Sequence, residues 1–145
     1  MPLTGTYQRS LDEKRRVAVP KRLREDFGTP DIKFLYIAPG TDRSLSMYST
    51  EGFEEFARKL SERSPTREDV RSYLRLFYAQ AERVDVDQQG RIRIPDRLAE
   101  FAQLQREVVL LGVHDHAEIW NAETWNQFIA ARAPQFDDMA ARAFE

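Results

Sequence analysis

The sequence predicts an α+β protein in which one β-β-α-β-β-α unit is written twice. Three observations carry this: two stretches of the chain align with each other, apolar residues alternate within each stretch, and helical spacing follows each group of strands. L-D-E-K-R-R-V-A-V-P-K-R-L-R-E begins at Leu11, and V-D-Q-Q-G-R-I-R-I-P-D-R-L-A-E begins at Val86. With Asp12 set against Asp87, six positions are identical: Asp12/Asp87, Arg16/Arg91, Pro20/Pro95, Arg22/Arg97, Leu23/Leu98 and Glu25/Glu100. The match resumes after a shift of three residues, where M-Y-S-T-E-G-F-E-E-F from Met47 meets I-W-N-A-E-T-W-N-Q-F from Ile119. Order kept over that length marks a duplicated supersecondary unit.

Each copy reads as strand, tight loop, strand, short helix, strand, strand, helix. Val17 and Val19 alternate with Ala18 and Pro20, and Ile92 and Ile94 with Arg93 and Pro95, the period of a half-buried strand. Pro20 and Pro95 then suit the entry to a short helix, because the first helical turn does not use the missing amide. F-L-Y-I-A from Phe34 and V-V-L-L-G-V from Val108 are apolar runs fit for buried strands, with L-S-M-Y and A-E-I-W as their neighbours. Phe53, Phe56, Ala57 and Leu60 share one helical face after Thr50, a plausible N-cap, and Asn121, Trp125, Phe128 and Ile129 repeat the pattern. Both aromatic stripes read as core.

Between the copies, a connecting helix is predicted to open at Ser64 or Thr66 and to bury Val70, Tyr73, Leu74 and Phe77. Arg67, Arg71 and Arg75 form a solvated stripe along it. The resulting division is one domain over 1–145, with half-units at 5–62 and 81–132, the helix at 63–80 and a tail at 133–145. The tail carries Phe136, Met139 and Phe144 and reads as a weak terminal helix.

At 145 residues the chain can bury a core without staples, and it has none: cysteine is absent and the only histidines are His114 and His116. Thiol chemistry and cysteine zinc sites are excluded. No apolar run approaches a membrane span, and the N-terminus lacks the pattern of a secretory signal, so a cytoplasmic protein with no membrane partner is expected. The net charge of −2 hides a local asymmetry. From Arg9 to Arg24 there are seven basic residues against two acidic ones, whereas the second copy has no such excess.

In each copy an Asp ends one strand and an Arg opens the next, with three residues between them. A turn carboxylate can bond loop amides and hold the neighbouring guanidinium in one orientation. Read from spacing alone, this is either a fastened turn or a rigid presenter of charge. The company around the first loop favours the second: Lys14, Arg15 and Arg16 are consecutive, and Arg9 lies on the strand leading in. A basic strand pair can enter a DNA major groove, phosphate contacts giving affinity and Arg to guanine giving sequence choice.

These loops, the prolines after them, L-R-L-F-Y-A-Q-A-E from Leu74 and E-I-W from Glu118 together resemble the MraZ family, over about Gly5 to Phe128. The resemblance implies an AbrB-related swapped-hairpin β-barrel with peripheral helices. It also implies a nucleoid-associated repressor, acting as a ring-shaped homo-oligomer on short direct repeats in double-stranded DNA upstream of its own division and cell wall operon. By position, Arg16 and Arg91 match the family's DNA-contacting arginines and Lys14 its loop lysine, while Asp12 and Asp87 match the loop-shaping aspartates. Arg9, Arg15 and Gln89 join the expected DNA-binding set, and Gly90 the loop-shaping one. One position departs from the pattern: Arg15 stands where the family has Gly, and where the second copy has Gly90. Either the first loop changes shape or it tolerates strain.

Two other classes are weighed. An AbrB-like antitoxin would bind a toxin through its tail, but usually has one copy of the unit. An enzyme would rest on H-D-H at residues 114–116, two potential ligands without an evident third, and a polar hairpin turn explains that motif better. No phosphate-cradling loop or nucleophile set is evident, so no catalytic residues, metal, cofactor or small-molecule substrate are expected.

Overall fold

The computed structural model describes residues 1–28, 31–63 and 68–145. The first copy gives β1 (Thr6–Ser10), β2 (Arg16–Ala18), α1 (Lys21–Asp26), β3 (Phe34–Pro39), β4 (Leu45–Tyr48) and α2 (Thr50–Arg63). After α3 (Glu68–Gln80) the second copy repeats the order with β5 (Glu82–Asp85), β6 (Arg91–Arg93), α4 (Asp96–Phe101), β7 (Glu107–Val113), β8 (His116–Asn121) and α5 (Ala122–Arg132). A 3-10 turn and α6 (Phe136–Ala143) close the described chain.

The copies do not fold side by side. Six strands form one antiparallel sheet in the order β1-β7-β8-β4-β3-β5, so the first strand of each copy pairs with the hairpin of the other. The hairpins β3–β4 and β7–β8 meet at the centre, where Leu45 pairs with Ile119 and Met47 with Ala117. The remaining strands, β2 and β6, pair only with each other as a two-stranded ribbon, Val17 opposite Ile92. This is the strand exchange expected of a swapped hairpin. The hydrogen-bonded ladder does not close into a ring, since β1 and β5 remain edges; side chains close it instead. Val17, Val19, Ile92 and Ile94 of the ribbon segments join Leu35, Ile37, Leu45, Met47, Leu110 and Ile119 of the sheet in one buried cluster.

The alternation in the ribbon explains this packing. Val17 and Ile92 are 1 % exposed while Ala18 and Arg93 face solvent, so one ribbon face is core and the other is surface. Pro20 and Pro95 sit at the N-cap positions of α1 and α4, with Leu23 and Leu98 fully buried beneath them.

Two outer clusters cover the far side of the sheet. In one, Tyr36 stacks on Phe53 at 4.6 Å and Phe56 on Phe77 at 4.7 Å, and the Tyr78 hydroxyl donates to the Phe53 carbonyl at 3.1 Å. In the other, Trp120, Trp125 and Phe128 pack together, with the Trp120 indole N–H bonded to Glu118. Both aromatic stripes are therefore packing groups. Two local expectations are corrected. Ser49, not Thr50, caps α2: its Oγ accepts from the Gly52 amide, because the helix begins one residue earlier than apolar spacing suggests. Tyr73 is 43 % exposed, because α3 turns only Phe77 fully inward. Ser64 and Thr66, named above for the start of the connecting helix, and Arg67 of its arginine stripe lie outside the described residues. None of the helices among the described residues is long and apolar enough to cross a membrane.

Candidate nucleic-acid interface

The two Asp-x-x-x-Arg loops have one geometry. In the first, Asp12 Oδ1 accepts from the Lys14 and Arg16 amides at 2.9 and 2.8 Å, and Oδ2 from Arg16 Nε at 2.7 Å. In the second, Asp87 Oδ1 accepts from the Gln89 and Arg91 amides, both at 2.9 Å, and Oδ2 from Arg91 Nε at 3.0 Å. The Arg15 and Gly90 amides donate back to the Asp12 and Asp87 carbonyls, each at 2.9 Å. Each carboxylate therefore ties two loop amides and one guanidinium edge together. The backbone amide of the loop Arg, reinforced by its side chain, holds each Asp below the usual carboxylate range, against a smaller opposing effect of desolvation.

With Nε spent on the carboxylate, the outer N–H groups of Arg16 and Arg91 have no partner among the described residues. Ribbon register places both on the solvent face, Arg16 opposite Arg93 and Ala18 opposite Arg91. Lys14 and Gln89 use their amides in the clamp and leave their side chains exposed. Arg9 is not brought into this group. It lies on β1, its guanidinium 5.8 Å from the Tyr7 ring centre and bonded to the Gln8 carbonyl.

Arg15 answers the question posed by the missing glycine. Its φ is +59°, in the same left-handed region as Gly90 at +78°, so the loop keeps its shape and bears the strain. The side chain folds back over the start of α4, where Nε lies 3.6 Å from Asp96 Oδ1 and Nη1 3.4 Å from the Asp96 carbonyl. On the other side, the Arg24 guanidinium occupies the space a side chain at residue 90 would need: a Cβ there would lie 2.8 Å from Arg24 Cζ. Arg24 aligns with Ala99, and Arg15 and Ala99 line the same shallow cleft. Each loop thus carries one arginine in that space, supplied by the loop itself in one copy and by the facing helix in the other.

The histidines take no part in this face. His114 occupies the β7–β8 turn with φ +66°, and His116 is wedged between Asp115 (Nδ1, 2.8 Å) and Glu118 (Nε2, 3.2 Å) against the Tyr48 ring. Among the described residues no three His, Asp or Glu side chains are grouped to hold a metal ion.

The fold and its loops define a class: single chains in which two copies of one hairpin unit exchange strands and carry a pair of Asp-clamped turns on a two-stranded ribbon. A family model described as "MraZ protein, putative antitoxin-like" matches the chain twice, over residues 3–76 and 77–145. The "Transcriptional regulator MraZ" of Moorella thermoacetica is 36 % identical over 138 residues, 95 % of this chain and 94 % of that protein. Its namesake in Lactiplantibacillus plantarum is 38 % identical over 136 residues, 94 % of each chain. The chain belongs to the MraZ family.

Arg93 and Arg24 escaped sequence reasoning. The alternation of Arg93 with Ile92 and Ile94 marked it as outward, but its place opposite Arg16 depends on the ribbon register.

Proposed function

We propose that the chain is a sequence-specific DNA-binding regulator of transcription and not an enzyme. The observation that carries this reading is the pair of identically clamped loops, which hold Arg16 and Arg91 on one exposed ribbon face with their outer N–H groups uncommitted. A clamped guanidinium loses little freedom on binding, which suits a bidentate contact to guanine or phosphate. Arg16, Arg91, Lys14 and Gln89 form the contact set, and Asp12, Asp87 and Gly90 shape it. Arg15 adds charge from the flank, and Arg9 contributes at most a backbone phosphate contact from β1.

In this reading the protein represses its own division and cell wall operon from the cytoplasmic nucleoid, binding short direct repeats as a ring-shaped homo-oligomer. A ring raises the effective concentration of loops that are individually weak. The relatives' printed name, transcriptional regulator, supports the coarse part of this reading. A mobility-shift titration on DNA upstream of the gene tests it, with Arg16→Ala expected to lose most of the affinity at moderate salt. Undiminished binding would overturn the assignment. The family description also favours a second reading, an antitoxin whose tail, with Phe136 and Phe144 exposed, holds a toxin. Co-purification with a small protein encoded next door would support it.

A further inference from the structure

We propose that Arg93, contributed by the second copy, is a DNA-contacting residue that completes a basic pole at the first loop. This rests on the DNA-binding reading above. Four observations lead to it. The ribbon register sets Arg93 directly opposite Arg16, on the face that points away from the core. Arg93 is exposed and has no hydrogen bond or ion pair among the described residues, whereas Arg16 is engaged by Asp12. The Ile94 amide donates to the Arg15 carbonyl at 2.9 Å, so the end of β6 is tied to the tip of the first loop. Finally, the counterpart of Arg93 in the first copy is Ala18, which sits opposite Arg91.

Like charges directly across a strand pair oppose folding. Asp12 pairs with Arg16, but among the described residues no carboxylate forms an ion pair with Arg93, so its share of the repulsion is left to solvent. A polyanion laid along the ribbon would relieve it. Lys14, Arg15, Arg16 and Arg93 therefore gather at one end of the ribbon, drawn from both halves of the chain. The other end presents Gln88, Gln89, Arg91 and Ala18, with the Arg24 guanidinium against Gly90. The ribbon is close to twofold in register, and its ends differ in Arg93 against Ala18 and Lys14 against Gln89.

The test compares wild type, Arg93→Ala, Arg93→Lys, Ala18→Arg and Arg16→Ala by fluorescence anisotropy on a duplex from upstream of the gene, over a salt series. The expected result for Arg93→Ala is a fivefold to tenfold weaker complex with a log-affinity slope against log salt that is shallower by about one. Arg93→Lys keeping affinity marks a phosphate contact; Arg93→Lys losing it marks a base contact, and either supports the proposal once Arg93→Ala has weakened binding. Ala18→Arg, which copies the pole to the other end without touching the core, is expected to bind random duplex more tightly. Because Arg93 lies on the surface, melting temperatures report folding for every variant. If Arg93→Ala melts early, Arg93→Gln takes its place in the same comparison. Wild-type binding by the folded Arg93 variants, with Arg16→Ala impaired, overturns the proposal. Wild-type binding by Arg16→Ala as well overturns the contact assignment of the loops, and failure of the wild type to bind the duplex overturns the DNA-binding reading itself.

Discussion

Arg15 shows how one side chain can depart from a pattern without changing the backbone beneath it. A non-glycine residue in the left-handed region costs about 1 kcal/mol, and the exposed Asp96 contact returns only about 0 to 1 kcal/mol. Arg15→Gly is therefore expected to raise stability by about 0.5 kcal/mol in chemical denaturation, while weakening DNA binding and lowering its salt sensitivity. The opposite change, Gly90→Ala, puts a side chain at φ +78° and against the Arg24 guanidinium, so a loss of about 1 kcal/mol or more is expected. Part of that loss should disappear in an Arg24→Ala background, because the clash is with the end of a flexible side chain; a double-mutant cycle measures the coupling. The sequence made the glycine substitution visible and left its outcome open. The strained loop and the compensating pair Arg24/Ala99 became legible only with the strand exchange, because the facing helix belongs to the other copy.

Among the elements, the strands and short helices were readable because their periods are short and their apolar residues regular. Their partners were not. Nothing in T-Y-Q-R-S says that β1 will lie against β7, about a hundred residues on, since pairing depends on which edges remain after each hairpin forms. Helix α2 starts one residue earlier than apolar spacing predicts, because Ser49 and Thr50 are both competent caps and only the Ser49 Oγ bond to Gly52 decides. Helix α3 owes its place to Phe77, 3 % exposed within the aromatic cluster, and Phe77→Ala should cost about 3 to 5 kcal/mol in a denaturation curve.

The β7–β8 hairpin carries its own pH dependence. Burial works against the charge on His116, but hydrogen bonds to Glu118 and Asp115 outweigh it and raise its pKa above the ordinary 6.5. For Glu118 burial is likewise outweighed, by His116 and Trp120, and its pKa falls below the ordinary 4.5. The histidine's contribution is present below its unfolded pKa and lost as pH rises through the folded one. The carboxylate's is present above its unfolded pKa and lost as pH falls. The window of greatest benefit lies between 4.5 and 6.5. His116→Gln should lower the melting temperature most near the middle of that window and least in alkaline solution.

At the scale of the whole molecule, the sheet depends on both copies at once. Among the described residues, β1 has only β7 to pair with, β5 has only β3, and β2 has only β6. A fragment covering residues 1–76 or 77–145 is therefore expected to be unfolded as a monomer, and mixing the two should restore helix and sheet signal by circular dichroism. Folding of either fragment alone, as a monomer with native-like spectra, would contradict the interleaved sheet.

That interleaving has a consequence for how the protein can change. Were the same fold assembled from two identical chains, any substitution in the loop would appear at both ends of the ribbon together. Joining the copies in one chain lets each end vary alone, as Arg15 against Gly90 and Ala18 against Arg93 already do. A symmetric reader can only match a sequence that reads alike from both strands. A ribbon with unlike ends has a direction.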